Sequence, residues 1–327
     1  MKPILKVENL SKDFVKPLDL VAKALNKLGQ NYREEIVHAV DDVSFSIFKG
    51  EIVGVVGESG CGKSTLGRMI AGILPPTSGH LKFELDESKT SKIPPALLTQ
   101  MIFQDPFSSL NPRKRVIDII TEAPIYHKLI DQAEKQTYAE DMLQRVGLDP
   151  DTLQRYPHQF SGGQRQRVGI ARALAVSPDF LVCDESIAAL DVSIQAQIIN
   201  LFVDLKDKFD LTYLFISHDI GVVEHIADRV IVMYLGRIVE TAPIQDFLKN
   251  PNHPYTNALL AGVPRLEIGK RKYEPIKGEI PSPLDPPPGC HFHPRCRFAE
   301  ERCRVEKPIL IEIAPAHFSA CHLNDRA

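Results

Sequence analysis

The chain alternates between short apolar runs of strand length and longer segments of helical composition, the pattern of a mixed α/β body. Val40–Phe48 is rich in β-forming residues and is followed by Glu51–Gly57 after the turn pair Lys49-Gly50, so two successive strands are expected. Ile52-Val53-Gly54-Val55-Val56 is apolar on both faces, as in a parallel strand covered on both sides. Leu66–Ile73 and Val168–Ala175 read as helices, and Phe180–Glu185 and Leu211–Ser217 as further strands. Leu18, Val21, Leu25 and Leu28 approximate helical spacing, so a short amphipathic helix is expected within residues 16–35, most simply a surface elaboration of a loop. No apolar run approaches the roughly 20 residues that span a bilayer; stretches such as Val230–Leu235 are strand-sized.

Beyond about residue 250 this patterning stops. About half of the 25 prolines lie after residue 240, and Pro281-Ser282-Pro283-Leu284-Asp285-Pro286-Pro287-Pro288 excludes helix and central strand, because proline lacks the N–H and fixes φ. The expected organisation is a globular body over 1–250 and a proline-rich extension over 251–327. Of the six cysteines, Cys61 and Cys183 belong to the body, whereas Cys290, Cys296, Cys303 and Cys321 crowd the extension.

Composition narrows the classes. With 327 residues, 43% hydrophobic and 25% charged, the chain can bury a large core. A net charge of −3 argues against a duplex-DNA binder that neutralises phosphates over a broad face, and no nucleic-acid partner is expected. Met1–Lys6 lacks the apolar segment of a secretory signal, so the expected location is cytoplasmic, with any membrane association made through partner subunits.

Three motifs carry chemistry. Gly57-Glu58-Ser59-Gly60-Cys61-Gly62-Lys63-Ser64-Thr65 is a full phosphate-loop pattern placed between a strand and a helix. Its glycines let backbone N–H groups point at an anion and the helix N-terminus adds a favourable dipole, while Lys63 suits β/γ-phosphates and Ser64 suits Mg²⁺. Asp184 and Glu185 end an apolar strand. Paired acids there are costly unless they meet a metal or a cation, so Asp184 suits Mg²⁺ and Glu185 suits the activation of water. Third, Ser161-Gly162-Gly163-Gln164 precedes a helix that Ser161 can cap, giving a second anion-binding N-terminus about a hundred residues from the first. If one chain cannot bring both to one phosphate, two chains can.

Taken in order, Gly57–Ser64, Gln104 within Met101-Ile102-Phe103-Gln104-Asp105-Pro106, Ser161–Gln164, Asp184-Glu185, Ala189-Leu190-Asp191 and Ser217-His218-Asp219 resemble the ABC-transporter ATPases. Phe107–Pro112, Asp191–Gln197, Pro251-Asn252-His253-Pro254-Tyr255-Thr256, Pro281–Leu284 and Pro286–Cys290 are similar to the oligopeptide/dipeptide importer branch, in particular the second ATPase of its pair. The resemblance implies a RecA-like α/β P-loop core with a small antiparallel β part, a helical subdomain over about 104–172, and a Cys-rich C-terminal extension. It implies ATP and Mg²⁺ as ligands, Phe14 stacking on adenine, Gln104 sensing Mg²⁺ and water, His218 on the γ-phosphate and Asp191 linking two ATP sites. It also implies a paralogous ATPase as heterodimer partner, two transmembrane permease subunits, an extracytoplasmic peptide-binding protein acting indirectly, and a place on the cytoplasmic face of the membrane. One departure stands out: Ser186 replaces the family's usual proline after the glutamate, which would loosen the backbone that aims Glu185.

Four thiols in the tail suit tetrahedral Zn²⁺, a cubane iron–sulfur cluster, or plain thiols that bind nothing. Arg295, Arg297, Arg302 and Arg304 alternate with them and would offset thiolate charge, with His291, His293, His317 and His322 nearby. The resemblance points to a [4Fe–4S] cluster. Cys61, flanked by loop amides and Lys63, is expected to have a lowered pKa and a reactive thiol. Two readings of other classes remain. One is a soluble ABC ATPase of translation or repair, usually marked by two cassettes or a long coiled coil. The other is a metal- or redox-sensing ATPase serving a different solute, such as nickel or a glutathione-like peptide.

Overall fold

The computed structural model describes residues 2–18, 26, 28, 34–84, 94–105, 108–188, 190–263, 276 and 278–326. Most of the segment expected as an amphipathic helix within 16–35, and Pro106, Phe107 and Ala189 of the quoted motifs, lie outside the described residues.

Two sheets organise the body. β1 (Pro3–Lys16) lies between β2 (Glu35–Phe48) and β4 (Ser78–Phe83), all antiparallel, with several register shifts along β1. The larger sheet contains β3 (Ile52–Val56), β5 (Thr99–Ile102), β6 (Phe180–Asp184), β7 (Thr212–Ile216), β8 (Arg229–Tyr234) and β9 (Arg237–Pro243). Its order runs β9-β8-β3-β7-β6-β5, parallel except for β9. Every residue of β3, β6 and β7 is buried, as the unbroken apolar runs demand of strands covered on both faces.

What covers the faces places the site. α1 (Lys63–Ile70) is sandwiched between the two sheets: Leu66, Met69 and Ile70 share one core with Leu5, Val40 and Ile47 from one sheet and Val55, Val182 and Leu214 from the other. The second core joins the opposite face to α2 (Val116–Tyr126), α3 (Lys135–Arg145) and α4 (Gly162–Leu174), which pack together through Ile117, Ile120, Met142, Leu143 and Val168. It also takes in α5 (Val192–Phe209) and α6 (Ile220–Ile226). α4 starts six residues before the helix expected from composition. Ser161 closes a capping box with Gln164, so both glycines are drawn into the first turn.

The extension departs most from expectation. α7 (Ile244–Lys249) closes the body, α8 (Pro254–Ala261) opens the extension, and α9 (Glu301–Val305) lies among the tail cysteines. β10 (Ile311–Ala314) and β11 (His317–Ser319) then form a hairpin, and β11 pairs with β9 through Phe318↔Thr241 and Ser319↔Glu240. The tail therefore extends the central sheet. Strands of four and three residues carry too little alternation to be read, and β11 finds its partner in a strand nearly 80 residues earlier.

Candidate functional site

β3 delivers the chain into the loop Gly57–Gly62, and α1 leaves it. Gly57 and Gly62 have φ of 152° and 106°, and a Cβ on either would lie 2.2 Å from the Met233 carbonyl oxygen or 2.1 Å from that of Ala39. Only glycine permits this curl, which leaves a cradle at the helix N-terminus. Ser59 and Gly60 stand exposed at its mouth, and Ser64 and Thr65 begin the helix half-buried. Lys63, 4% exposed, donates its ammonium to the carbonyls of Gly57 at 2.8 Å and Glu58 at 3.0 Å.

The two acids take different surroundings. Asp184, buried at the end of β6, accepts from the Ser64 hydroxyl at 2.7 Å. Burial pushes its carboxyl above the usual range, opposed by that hydrogen bond and by the nearby Arg68 and Lys63 cations. Glu185 turns into the left-handed region, φ 46°, with its N–H held by Ile216 O at 3.0 Å. Such a backbone is strained for a non-glycine residue. The turn presents one carboxylate to two distant groups: Gln104 Nε2 donates to Oε2 at 2.8 Å, and His218 Nδ1 lies 3.4 Å from Oε1.

Gln104, Glu185, His218, Asp184, Ser64 and Lys63 thus form one continuous set. The remaining expected residues lie apart from it. Ser161 and Gln164 bond to each other at the start of α4, with Gly162 beside Leu190 and Gly163 against Ile194. Asp191 is the exposed residue preceding α5. Phe14 sits near the end of β1, 43% exposed, with the Lys12 ammonium 5.5 Å from its ring centre. Among the described residues, the helix N-terminus expected to bind a second anion is capped by its own side chains, with Gly163 against α5 of the same chain.

Cys61 overturns its expectation. It is 3% exposed, and burial raises its thiol pKa; the Lys63 ammonium at 3.7 Å lowers it without prevailing. The flanking residues suggested a cationic site, but the thiol points into packed protein. Desolvation wins.

In the tail, Cys290, Cys296, Cys303 and Cys321 all line one small cavity together with His253, Phe292, His293, Phe298 and His322. Burial raises all four thiols, Cys290 and Cys321 to about 11. Among the described residues, however, no three His, Cys, Asp or Glu gather into a metal-ion site. The expected cluster or zinc centre is therefore not supported by this arrangement, although the donors share a cavity.

Sequence reasoning missed two contacts on the phosphate loop. Arg295 forms a two-pronged pair with the Glu58 carboxylate at 2.6 and 2.9 Å, and the Glu58 N–H donates to Tyr255 Oη at 2.8 Å. No local signal marks either, since the partners lie 237 and 197 residues apart.

Comparison with known proteins adds to this geometry. Residues 40–188 match the model described as "ABC transporter", and residues 239–303 that of the "Oligopeptide/dipeptide transporter, C-terminal region". The oligopeptide transport ATP-binding protein AppF of Bacillus subtilis is 52% identical over 88% of this chain and 90% of its own length. The dipeptide transport ATP-binding protein DppF of Haemophilus influenzae is 46% identical over 90% of this chain and 92% of its own. Among solved structures, the ATP-binding cassette MJ0796, in a dimeric post-hydrolysis state bound to ADP and Pi, has a TM-score of 0.59 at 26% identity. It covers 73% of this chain and 98% of that one. CbiO1 from Clostridium perfringens, part of an ABC transporter complex, gives 0.60 at 27% identity, over 76% and 92%.

Proposed function

The chain belongs to the ABC transporter family of ATP-hydrolysing cassettes, and on that premise we propose that it energises a peptide importer as one of a pair of ATPase subunits. The observation that carries the reading is the meeting of Gln104 and His218 on Glu185, next to the Ser64–Asp184 pair at the mouth of the phosphate loop. The names of the relatives support peptides as the solute class.

The proposed roles draw on this geometry and on the family resemblance. The cradle of loop N–H groups takes the β- and γ-phosphates of ATP, and Lys63 turns from the Gly57 and Glu58 carbonyls toward them. Ser64 and Asp184, oxygen donors held together, would hold Mg²⁺, which would neutralise phosphate charge when bound. Glu185 accepts the proton of the attacking water, oriented by Gln104, and His218 reaches the γ-phosphate. Phe14 offers an exposed ring to adenine. Because Ser161–Gln164 is turned toward α5 within its own chain, we read it as completing a partner's ATP site, with Asp191 between the two sites. The paralogous subunit of a heterodimer is the proposed partner.

The finer reading of the tail is also ours. We propose that the four thiols of the shared cavity take a [4Fe–4S] cluster, with Zn²⁺ the alternative. What favours it is that all four thiols line one cavity, which His253, His293 and His322 share. No step of hydrolysis passes through it. Anaerobically purified protein should carry about four irons per chain; stoichiometric zinc or metal-free colourless protein would reject it.

Among the described residues no helix is long and apolar enough to cross a membrane, so docking at the cytoplasmic face through two permease subunits completes the proposal. Purification from a membrane extract should bring those subunits and a second ATPase. The complex, rebuilt in vesicles with a peptide-binding protein, should take up a peptide with ATP. A purified complex that moves a different solute class would reject the peptide assignment, and one without permeases would favour a soluble ATPase.

A further inference from the structure

Glu58 is the second residue of the phosphate loop, and the loop's own lysine and two distant segments grip it. Its carbonyl oxygen accepts from Lys63 Nζ at 3.0 Å, its N–H donates to Tyr255 Oη at 2.8 Å, and its carboxylate takes both prongs of Arg295 at 2.6 and 2.9 Å. The Arg295 side chain is only 6% exposed and lies over the Tyr234 ring, 5.9 Å from its centre. Tyr234, Tyr255 and Phe292 form an aromatic cluster at this junction, with ring centres 4.7 to 5.3 Å apart. Arg295 sits between Cys290 and Cys296, in the short turn His293–Arg295.

This arrangement has an electrostatic consequence. A carboxylate beside a cradle built for a triphosphate repels the ligand unless a cation neutralises it. Arg295 supplies that cation with a planar fork, which fixes orientation as well as charge. The same Glu58 carbonyl holds the Lys63 ammonium, so a shift of Glu58 displaces the group that must meet the phosphates.

We propose that Arg295 is a positioning residue for ATP: the C-terminal extension, through the Arg295–Glu58 pair, sets the charge and shape of the phosphate loop. The extension is then a working part of the nucleotide site rather than an appendage. The inference rests on the ATPase reading above and extends it to a residue 237 positions from the loop. Coupling of this kind is reciprocal, so ATP binding also steadies the tail.

The test measures affinity and turnover separately, with a fluorescent ATP analogue and Mg²⁺ on the full chain. Arg295→Met should weaken binding and raise the KM for ATP about tenfold, with kcat within about twofold. Arg295→Lys, which keeps the charge and loses the fork, should fall between. The double variant Glu58→Gln with Arg295→Met should regain most of the affinity, because the unpaired carboxylate is gone; a purely structural role predicts no such recovery. Hydrogen exchange of residues 290–303 should slow on ATP binding in the wild type and not in Arg295→Met. Unchanged affinity in Arg295→Met overturns the proposal, as does a double variant no better than the single one. Wild-type protein that binds no ATP overturns the ATPase reading as well, whereas failure of peptide transport with these affinities intact rejects only the solute assignment.

Discussion

Gln104 donates its side-chain amide to Glu185 Oε2 at 2.8 Å, bridging the loop after the edge strand β5 to the turn after β6. The bond ties the segment that leads toward α2 to the carboxylate assigned to water.

Glu185→Gln should abolish turnover while sparing nucleotide binding. The amide keeps an acceptor for Gln104 but cannot take a proton, so hydrolysis in the assembled transporter should fall by at least about a hundredfold. ATP should remain trapped between the two subunits. Lys63→Ala should instead weaken binding itself, since it removes a phosphate partner. Wild-type turnover in Glu185→Gln would remove Glu185 as the base.

His253 gives a pH dependence whose sign can be worked out. It is 1% exposed, and burial lowers its pKa to about 3, while its Nδ1 accepts from the Tyr255 N–H at the start of α8. Below the ordinary histidine value of 6.5 the unfolded chain takes up a proton that the folded chain refuses. Stability is therefore lost as pH falls from about 6.5 toward 3, with the loss at pH 5 about 2 kcal/mol relative to pH 7. His253→Asn keeps an N-cap acceptor without the titration. Its stability, measured by denaturant unfolding at both pH values, should show a smaller difference. An equal difference would assign the acid sensitivity elsewhere.

Cys61 should be a slow thiol. Because burial holds its pKa up, a small alkylating reagent should modify it more slowly than a free cysteine at neutral pH, with or without ATP. Mass mapping of the labelled sites checks this. Rapid labelling that ATP blocks would show an open, low-pKa thiol and a loop unlike the one described.

How much was legible in advance depended on whether a feature was contiguous. Gly57–Thr65 and Asp184-Glu185 declare themselves because glycine torsions, a helix N-terminus and an acidic strand end are local properties. The capping of the helix by Ser161, whose hydroxyl accepts from the Gln164 N–H, is local too, though composition alone puts the helix start too late. Gln104 meets Glu185 across 81 residues and His218 approaches it from β7, so their convergence was reached only through resemblance. The Cys61 error has the same root: nearby cations were visible in the sequence, but burial is a tertiary property. The sequence reads Arg295 as a counter-charge to the tail thiols and Glu58 only as part of the phosphate-loop motif. Only the return of the tail along β9 and under the loop makes them a pair.

Ser186 is the remaining test of how the Glu185 turn is built. Its hydroxyl is buried, in a residue 1% exposed, with no nitrogen or oxygen partner and only the buried Cys183 thiol to interact with. The sequence suggested that a proline is missed here, yet Glu185 lies at φ 46° and proline pushes its predecessor toward extended backbone. The turn is instead fixed by hydrogen bonds from Glu185 N–H to Ile216 O at 3.0 Å and from Ala188 N–H to Glu185 O at 3.1 Å, neither of which uses residue 186. Ser186→Ala removes the buried hydroxyl and leaves those bonds intact. It should stabilise the chain by about 1 kcal/mol, relieving a desolvated polar group, and leave ATP turnover within about twofold. Denaturant unfolding and a steady-state ATPase assay read the two effects independently. A destabilised Ser186→Ala would mean that the hydroxyl has a partner and helps to hold the turn that aims Glu185.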